Sequence, residues 1–195
     1  MKILAVQSRM GVGDTVIFLP FIKALSKKFN LPISILVKEN SKANQYLHQT
    51  KYIDKILILE RDNKTNNRHG GFFGIFKLAT DLKKYEFDKI FIFNSSLRFN
   101  LIAKISGIPQ IYQYPLFTKN KQHIIEAPKK FLKENLDLDI NEDPEVQIDS
   151  DLISKAAQKF QIDKNTTNIL LGIGGSGPTK RIPAKTFLSV IDKIS

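Results

Sequence analysis

The chain has 195 residues, 42% hydrophobic and 25% charged, which excludes disordered, collagenous and low-complexity classes and leaves room for one comfortable domain or two small ones. Thirty basic against nineteen acidic side chains give a net charge of +11, a field that attracts polyanions such as phosphorylated sugars and anionic membrane surfaces. The absence of cysteine excludes disulfides and thiolate metal sites and fits a reducing compartment.

In chain order, residues 2–7 (KILAVQ) predict a short apolar strand. Residues 15–29 carry Val16, Leu19, Ile22, Leu25 and Phe29 at helical spacing, with Pro20 near the start, where proline is best tolerated. Strands are then predicted at 32–37, 54–59, 87–93 and 108–112. Helices are predicted between them at 41–49, with Ser41 as a cap, at 72–85, and at 97–106, stopped by Gly107. Near-continuous apolar strands alternating with helices mean a parallel sheet covered on both faces. With right-handed crossovers this is an α/β, Rossmann-like doubly wound domain over residues 1 to about 118.

Residues 123–135 and 151–160 read as helices, joined by an acidic stretch, 137–149, that contains Pro144. A strand at 168–173, a Gly-rich loop at 174–183 and a helix at 184–194 follow. One strand and one helix cannot cover both faces of the strand. The expected organisation is therefore an N-terminal domain with its connecting helices over 1–165 and the beginning of a second domain over 166–195, truncated at the end of the chain. The alternative is that this last unit adds to the first sheet. No apolar run reaches the ~18–20 residues of a membrane span, and the apolar patch at 3–6 is too short for a signal-peptide core. No metal is expected, since His48, His69 and His123 lie far apart without metal-ligand spacing. No aromatic–basic motif of a nucleic-acid reader appears, so no nucleic acid is expected as a partner. The dispersed lysines read first as solvated surface.

Two segments carry candidate chemistry. The first is Arg9-Met10-Gly11-Val12-Gly13-Asp14, between the first strand and the first helix. Ligands of open α/β sheets bind outside the carboxyl ends of the strands, and Gly11 and Gly13 permit a tight turn and close ligand approach. A dinucleotide fingerprint needs a small residue at position 16, which is Val16, so a nicotinamide dehydrogenase is disfavoured. Asp14 sits at the helix start, where free N–H groups stabilise a carboxylate. It reads either as a cap or as a general base that takes a proton from a nucleophilic hydroxyl. The second segment, 174–181 (GGSGPTKR), offers backbone and hydroxyl donors with the charges of Lys180 and Arg181 to a phosphate. It lacks the spacing of a Walker loop and reads equally as a flexible turn.

Taken together and in order, these segments resemble glycosyltransferase family 9, the ADP-heptose:lipopolysaccharide heptosyltransferases. The resemblance rests on the Arg9-to-Asp14 loop with Pro20 in the following helix, Tyr52-Ile53-Asp54, Phe87-Asp88-Lys89-Ile90, Ser96-Leu97-Arg98, Lys104-Ile105-Ser106-Gly107, His123 with Glu126, and Ser176 to Pro183. The chain departs from the family at Gly172-Ile173, where the family has His-Pro, and at Ile182, where it has Trp.

The resemblance implies a GT-B fold of two Rossmann-like domains facing a cleft, the N-terminal one on the acceptor side and the C-terminal one binding the donor. It implies transfer of a heptose or related sugar, inverting and without a metal, from a nucleotide-sugar donor, ADP-heptose being expected. The acceptor is an anionic lipid-linked saccharide of the lipopolysaccharide core. Asp14 becomes the acceptor base, Gly11 and Gly13 the substrate-binding turn, and Ser176 and Lys180 the donor phosphate contacts. No separate cofactor is implied. The expected location is cytoplasmic, peripheral at the inner face of an inner membrane. Arg61, Lys64 and Arg68, before the third helix, are candidates for acceptor contact, and Phe72, Phe73 and Phe76 for either core or membrane contact. The 195-residue chain alone is expected to be inactive, since most of the donor half is missing. The alternative function is a non-catalytic Rossmann-like module that binds nucleotides or other polyanions.

Overall fold

The computed structural model describes residues 1–9, 11–61, 67–116, 123–163, 165–172, 174 and 181–194. The chain divides into two compact units, Met1–Asp149 and Ser150–Ser195. The division falls ahead of the expected 165/166 boundary and gives the helix at 150–159 to the second unit.

In the first unit, β1 (Ile3–Val6), β2 (Ile33–Lys38), β3 (Ile53–Leu59), β4 (Lys89–Ile92) and β5 (Gln110–Gln113) form one all-parallel sheet in the order β3-β2-β1-β4-β5. The helices are α1 (Val12–Phe29), α2 (Ala43–Tyr46), α3 (Phe73–Lys83), α4 (Leu97–Ile105) and α5 (Glu126–Leu136). Strand order reverses on either side of β1, which makes the gap between the carboxyl ends of β1 and β4 the topological switch point.

Alternation along apolar strands fills both faces of the sheet. Ile3, Ala5, Ile35, Val37, Phe91 and Phe93 face α1 and α5. Leu4, Val6, Leu36, Leu59, Ile90 and Ile92 face α3 and α4. The first face holds an aromatic cluster in which Phe91 stacks on Tyr112 at 4.6 Å and Phe131 meets Tyr114 edge-on at 5.0 Å.

Helix α1 begins three residues earlier than the apolar spacing predicts, so Pro20 falls in its interior rather than near its start. The missing N–H at Pro20 costs one ladder bond. Burial of Phe18, Leu19, Phe21, Ile22 and Leu25 against the sheet offsets that loss. The helix ends at Asn30, whose left-handed backbone (φ 53°) closes the last turn.

The helix expected over 41–49 is reduced to a single 3₁₀ turn, Glu39–Ser41, and the four-residue α2. Lys42 between them is left-handed (φ 50°), which breaks helical continuity. The acidic stretch 137–149 is tied to the domain. Glu142 pairs with Lys27 and, at 3.0 Å, with Lys23. The Tyr52 hydroxyl donates to the Glu145 carbonyl at 3.2 Å, and Ile140 is buried.

The second unit contains α6 (Ser150–Lys159) and α7 (Ala184–Ile194). Residues 168–172, expected to form a strand, are not in one, and Leu170 is 96% exposed. A strand needs a neighbour to satisfy its N–H and C=O groups, and the described residues of this unit provide none.

Candidate functional site

Asp14 lies at the carboxyl end of β1, in the first turn of α1. Glycine at the helix cap brings no side-chain cap of its own, so the half-buried Asp14 carboxylate reaches back and accepts from the Gly11 N–H at 3.0 Å. Thr15 locks the same turn by donating its hydroxyl to the Gly11 carbonyl at 3.1 Å. A Cβ at position 11 would lie 3.2 Å from Asp14 Oδ2, so glycine there leaves room for the carboxylate. At Gly13 an added Cβ meets no protein atom within 4 Å, so the space over this turn is open.

At the switch point, reached by Ser8 and Arg9 of the same loop but not lined by Gly11, Gly13 or Asp14, is a cavity of about 250 Å³. Its polar rim carries Ser8 and Arg9 from the β1 loop, Asn94 from the β4 loop, Tyr114 after β5, and His123 ahead of α5, with the Phe18 and Phe93 rings as walls. Asn94 links two of these loops by donating to Ser8 Oγ at 3.3 Å. Gln113 fixes the β4 loop from the side, donating to the Asn94 and Ser96 carbonyls at 3.0 and 2.9 Å. His123 Nδ1 accepts from the backbone N–H groups of Ile125 and Glu126 at 3.3 and 3.4 Å, which leaves the ring proton on Nε2.

Two buried polar groups at this edge of the sheet have no partner among the described residues, the Tyr114 hydroxyl and the Gln7 side-chain nitrogen. Burial pushes the Tyr114 phenol well above its ordinary value while the positive charge of Arg9 pulls the other way. Tyr114 therefore keeps its proton and offers a neutral donor. Unpaired buried donors are costly, and for Tyr114, which lines the cavity, a polyhydroxylated or anionic ligand is the chemistry that satisfies it. An aliphatic ligand does not.

Gly11, Gly13 and Asp14 thus lie together in one turn. Arg61 and Arg68 lie elsewhere on the same edge, after β3, with β2 between them and β1. Arg68 is held against Asp81 at 2.7 Å, and Asp81 also receives His69 and Lys84 at 3.2 Å each. Burial raises the Asp81 carboxyl, but hydrogen bonds from His69 and Lys84 and the charge of Arg68 outweigh it and hold the group below its ordinary range. A bare cation for an acceptor phosphate is therefore not what Arg68 presents. Gly74 is needed beside this cluster, since a Cβ there would fall 2.3 Å from the His69 carbonyl carbon. Lys64, Ser176 and Lys180 lie outside the described residues.

The sequence reading of the site missed Gln7, Ser8, Asn94 and Tyr114. The signal for them is positional. Each is a polar residue within a few positions of the end of an apolar strand, at the edge where such sheets bind ligands. Among the described residues, no group of His, Asp and Glu side chains is placed to hold a metal ion, and no helix is long and apolar enough to cross a membrane.

No family model and no curated protein matches the chain. Among solved structures it is similar to the glycosyl transferase family 9 protein from Veillonella parvula DSM 2008, with a TM-score of 0.76 and 18% identity over 99% of this chain and 59% of that one. It is also similar to the ADP-heptose lipopolysaccharide heptosyltransferase II of E. coli, with a TM-score of 0.65 and 17% identity over 99% of this chain and 62% of that one. At these identities the likeness is one of fold. The all-parallel sheet and its flanking helices have the Rossmann-like architecture of the N-terminal half of a GT-B fold. The chain spans 59% and 62% of the lengths of these two neighbours.

Proposed function

We propose that this chain carries the acceptor side of an inverting, metal-independent glycosyltransferase that moves a heptose or related sugar from a nucleotide-sugar donor to a lipopolysaccharide core. What supports the reading is the position of Asp14 at the carboxyl end of β1, with one oxygen anchored by Gly11 N–H, in the β1–α1 loop whose earlier residues Ser8 and Arg9 line a cavity with a polar and basic rim. In this scheme the acceptor hydroxyl gives its proton to Asp14, and its oxygen attacks the anomeric carbon from the face opposite the nucleotide. The bond from that carbon to the diphosphate oxygen breaks, and the electron pair leaves with the diphosphate. Lys180 and Ser176 are assigned to the departing diphosphate by sequence resemblance alone, as is ADP-heptose as donor. The acceptor is an anionic, lipid-linked saccharide, which places the enzyme in the cytoplasm at the inner face of an inner membrane.

The test is Asp14→Asn in the intact protein. Loss of a positioned base lowers kcat about 10²–10⁴-fold with little change in donor binding. Gly11→Ala pushes on the carboxylate without removing it and is expected to lower kcat about tenfold, KM changing less. Because the Asp14–Gly11 bond also suits a helix cap, a non-catalytic nucleotide or polyanion-binding module is the second reading. Turnover within a few-fold of wild type in Asp14→Asn decides for a cap and against the base.

A further inference from the structure

The outer surface of the α3–α4 layer is apolar where a water-soluble surface is normally polar. On α3 the residues at helical spacing away from the sheet are Phe73, Phe76, Lys77 and Thr80, all exposed. Phe72 precedes them. The Phe72 and Phe73 rings are 67% and 75% exposed and meet edge-on at 6.0 Å, and Phe72 meets Phe76 at 5.7 Å. Their neighbours Ile75, Leu78, Ala79 and Leu82 already fill the core beneath α3, so the three rings are surplus to it. The adjacent helix α4 exposes Leu97, Leu101 and Ile105 in the same way. Arg98 ties the two helix starts together, donating to the Gly71 carbonyl at 2.7 Å and to the His69 carbonyl. Exposed apolar surface of this extent marks an interaction site.

Charge identifies the partner. Helix α4 contains no acidic residue and α3 only Asp81, 22% exposed and already engaged by Arg68, His69 and Lys84. Lys77, Lys83 and Lys104 are exposed on the same two helices. Protruding aromatic rings among lysines, with no opposing acid, match an anionic bilayer, where rings enter the headgroup boundary and ammonium groups meet lipid phosphates. A face built for a second copy of this basic chain would need carboxylates to meet these lysines.

We propose that the α3–α4 face, led by Phe72, Phe73 and Phe76, is the surface by which this protein docks on anionic membranes. This deepens the reading of a lipid-linked acceptor and takes its biological sense from it, but the surface stands on its own observations. Such docking sets the sheet's helical flank against the bilayer and leaves the carboxyl edge with Asp14 at the rim, within reach of a saccharide that projects from the lipid.

These 195 residues contain no tryptophan, so Phe73→Trp in this chain places its one indole reporter on the face under test. Its emission is expected to shift to the blue with phosphatidylcholine–phosphatidylglycerol vesicles and not with phosphatidylcholine alone. Co-sedimentation of the intact protein with the mixed vesicles is expected to exceed that with neutral ones about tenfold or more, and to weaken as salt rises. The double variant Phe73→Ser/Phe76→Ser, which removes only exposed rings, is expected to keep its circular dichroism and lose about tenfold in vesicle partition. Equal binding by wild type and the double variant, no blue shift, or a vesicle-free dimer abolished by the same substitutions would overturn the proposal. Transfer to a soluble, delipidated acceptor separates the two readings. If the double variant transfers normally but does not bind vesicles, the surface assignment holds. If Asp14→Asn leaves transfer intact while vesicle binding persists, the catalytic reading fails and the docking surface stands.

Discussion

The two units of this chain use the same apolar residue types and come to opposite ends. In the first, Leu4, Leu25, Phe91 and Ile92 are fully buried between a sheet and its helices. In the second, Leu152, Ile153, Leu170, Leu188 and Val190 are exposed, and no described residue of α6 is buried. Both α6 and α7 place apolar residues on one face as a core-forming helix does. Amphipathic periodicity thus states what a segment is able to bury. Whether it does so depends on another face being present to receive it.

The largest expected contrast is in hydrogen exchange. Amides of β1 and β4 report global opening of the first unit and are expected to exchange about 10⁴-fold or more slower than those of residues 167–172. Comparable protection in the two segments, read by mass spectrometry, would break the comparison. Next in size, Phe91→Ala removes a ring that stacks on Tyr112 and meets Phe131 edge-on at 6.4 Å. It is expected to cost about 3–5 kcal/mol by denaturant titration. Its counterpart in the second unit, Leu170→Ala, is expected to stay within about 0.5 kcal/mol. A large loss at Leu170 would mean that this residue is buried in solution.

The smallest effect concerns the strap at 137–149. Hydrogen bonds from Lys27 and Lys23 hold the Glu142 carboxyl below its ordinary 4.5. A depressed carboxylate stabilises the fold above its unfolded pKa and loses that contribution as pH falls through the folded value. Glu142→Gln is therefore expected to lower Tm by roughly 1–3 °C at neutral pH. The gap to wild type should close as pH drops below 4.5. A gap that persists at low pH would mean the strap is held by Ile140 and the Tyr52–Glu145 bond instead.

Much of the first unit is legible in the sequence. Strands such as 87–93 are apolar on both alternating sets, which demands cover on both faces, and their alternation with helices demands parallel crossovers. The Arg9-to-Asp14 loop is recognisable by its glycines and its acid, and the rule for open sheets assigns it to the carboxyl edge without coordinates. The apolar run expected as a strand at 168–173 is not one over its described residues 168–172, because apolar content is local, whereas a strand is a relation between two segments. Helix 41–49 misleads because Lys42 takes a left-handed conformation that no residue-type pattern announces.

The sequence by itself determined the class of fold, the strands of the first unit and the turn that holds Asp14, because periodicity, glycine and capping act within a few residues. Only the tertiary structure decided that Gln7, Ser8, Asn94, Tyr114 and His123 share one edge. It also decided that Arg68 is engaged by Asp81, and that Phe72, Phe73 and Phe76 stand in solvent. Each of these depends on strand order and helix packing, which bring together residues tens of positions apart and set which side of a helix finds the core already full.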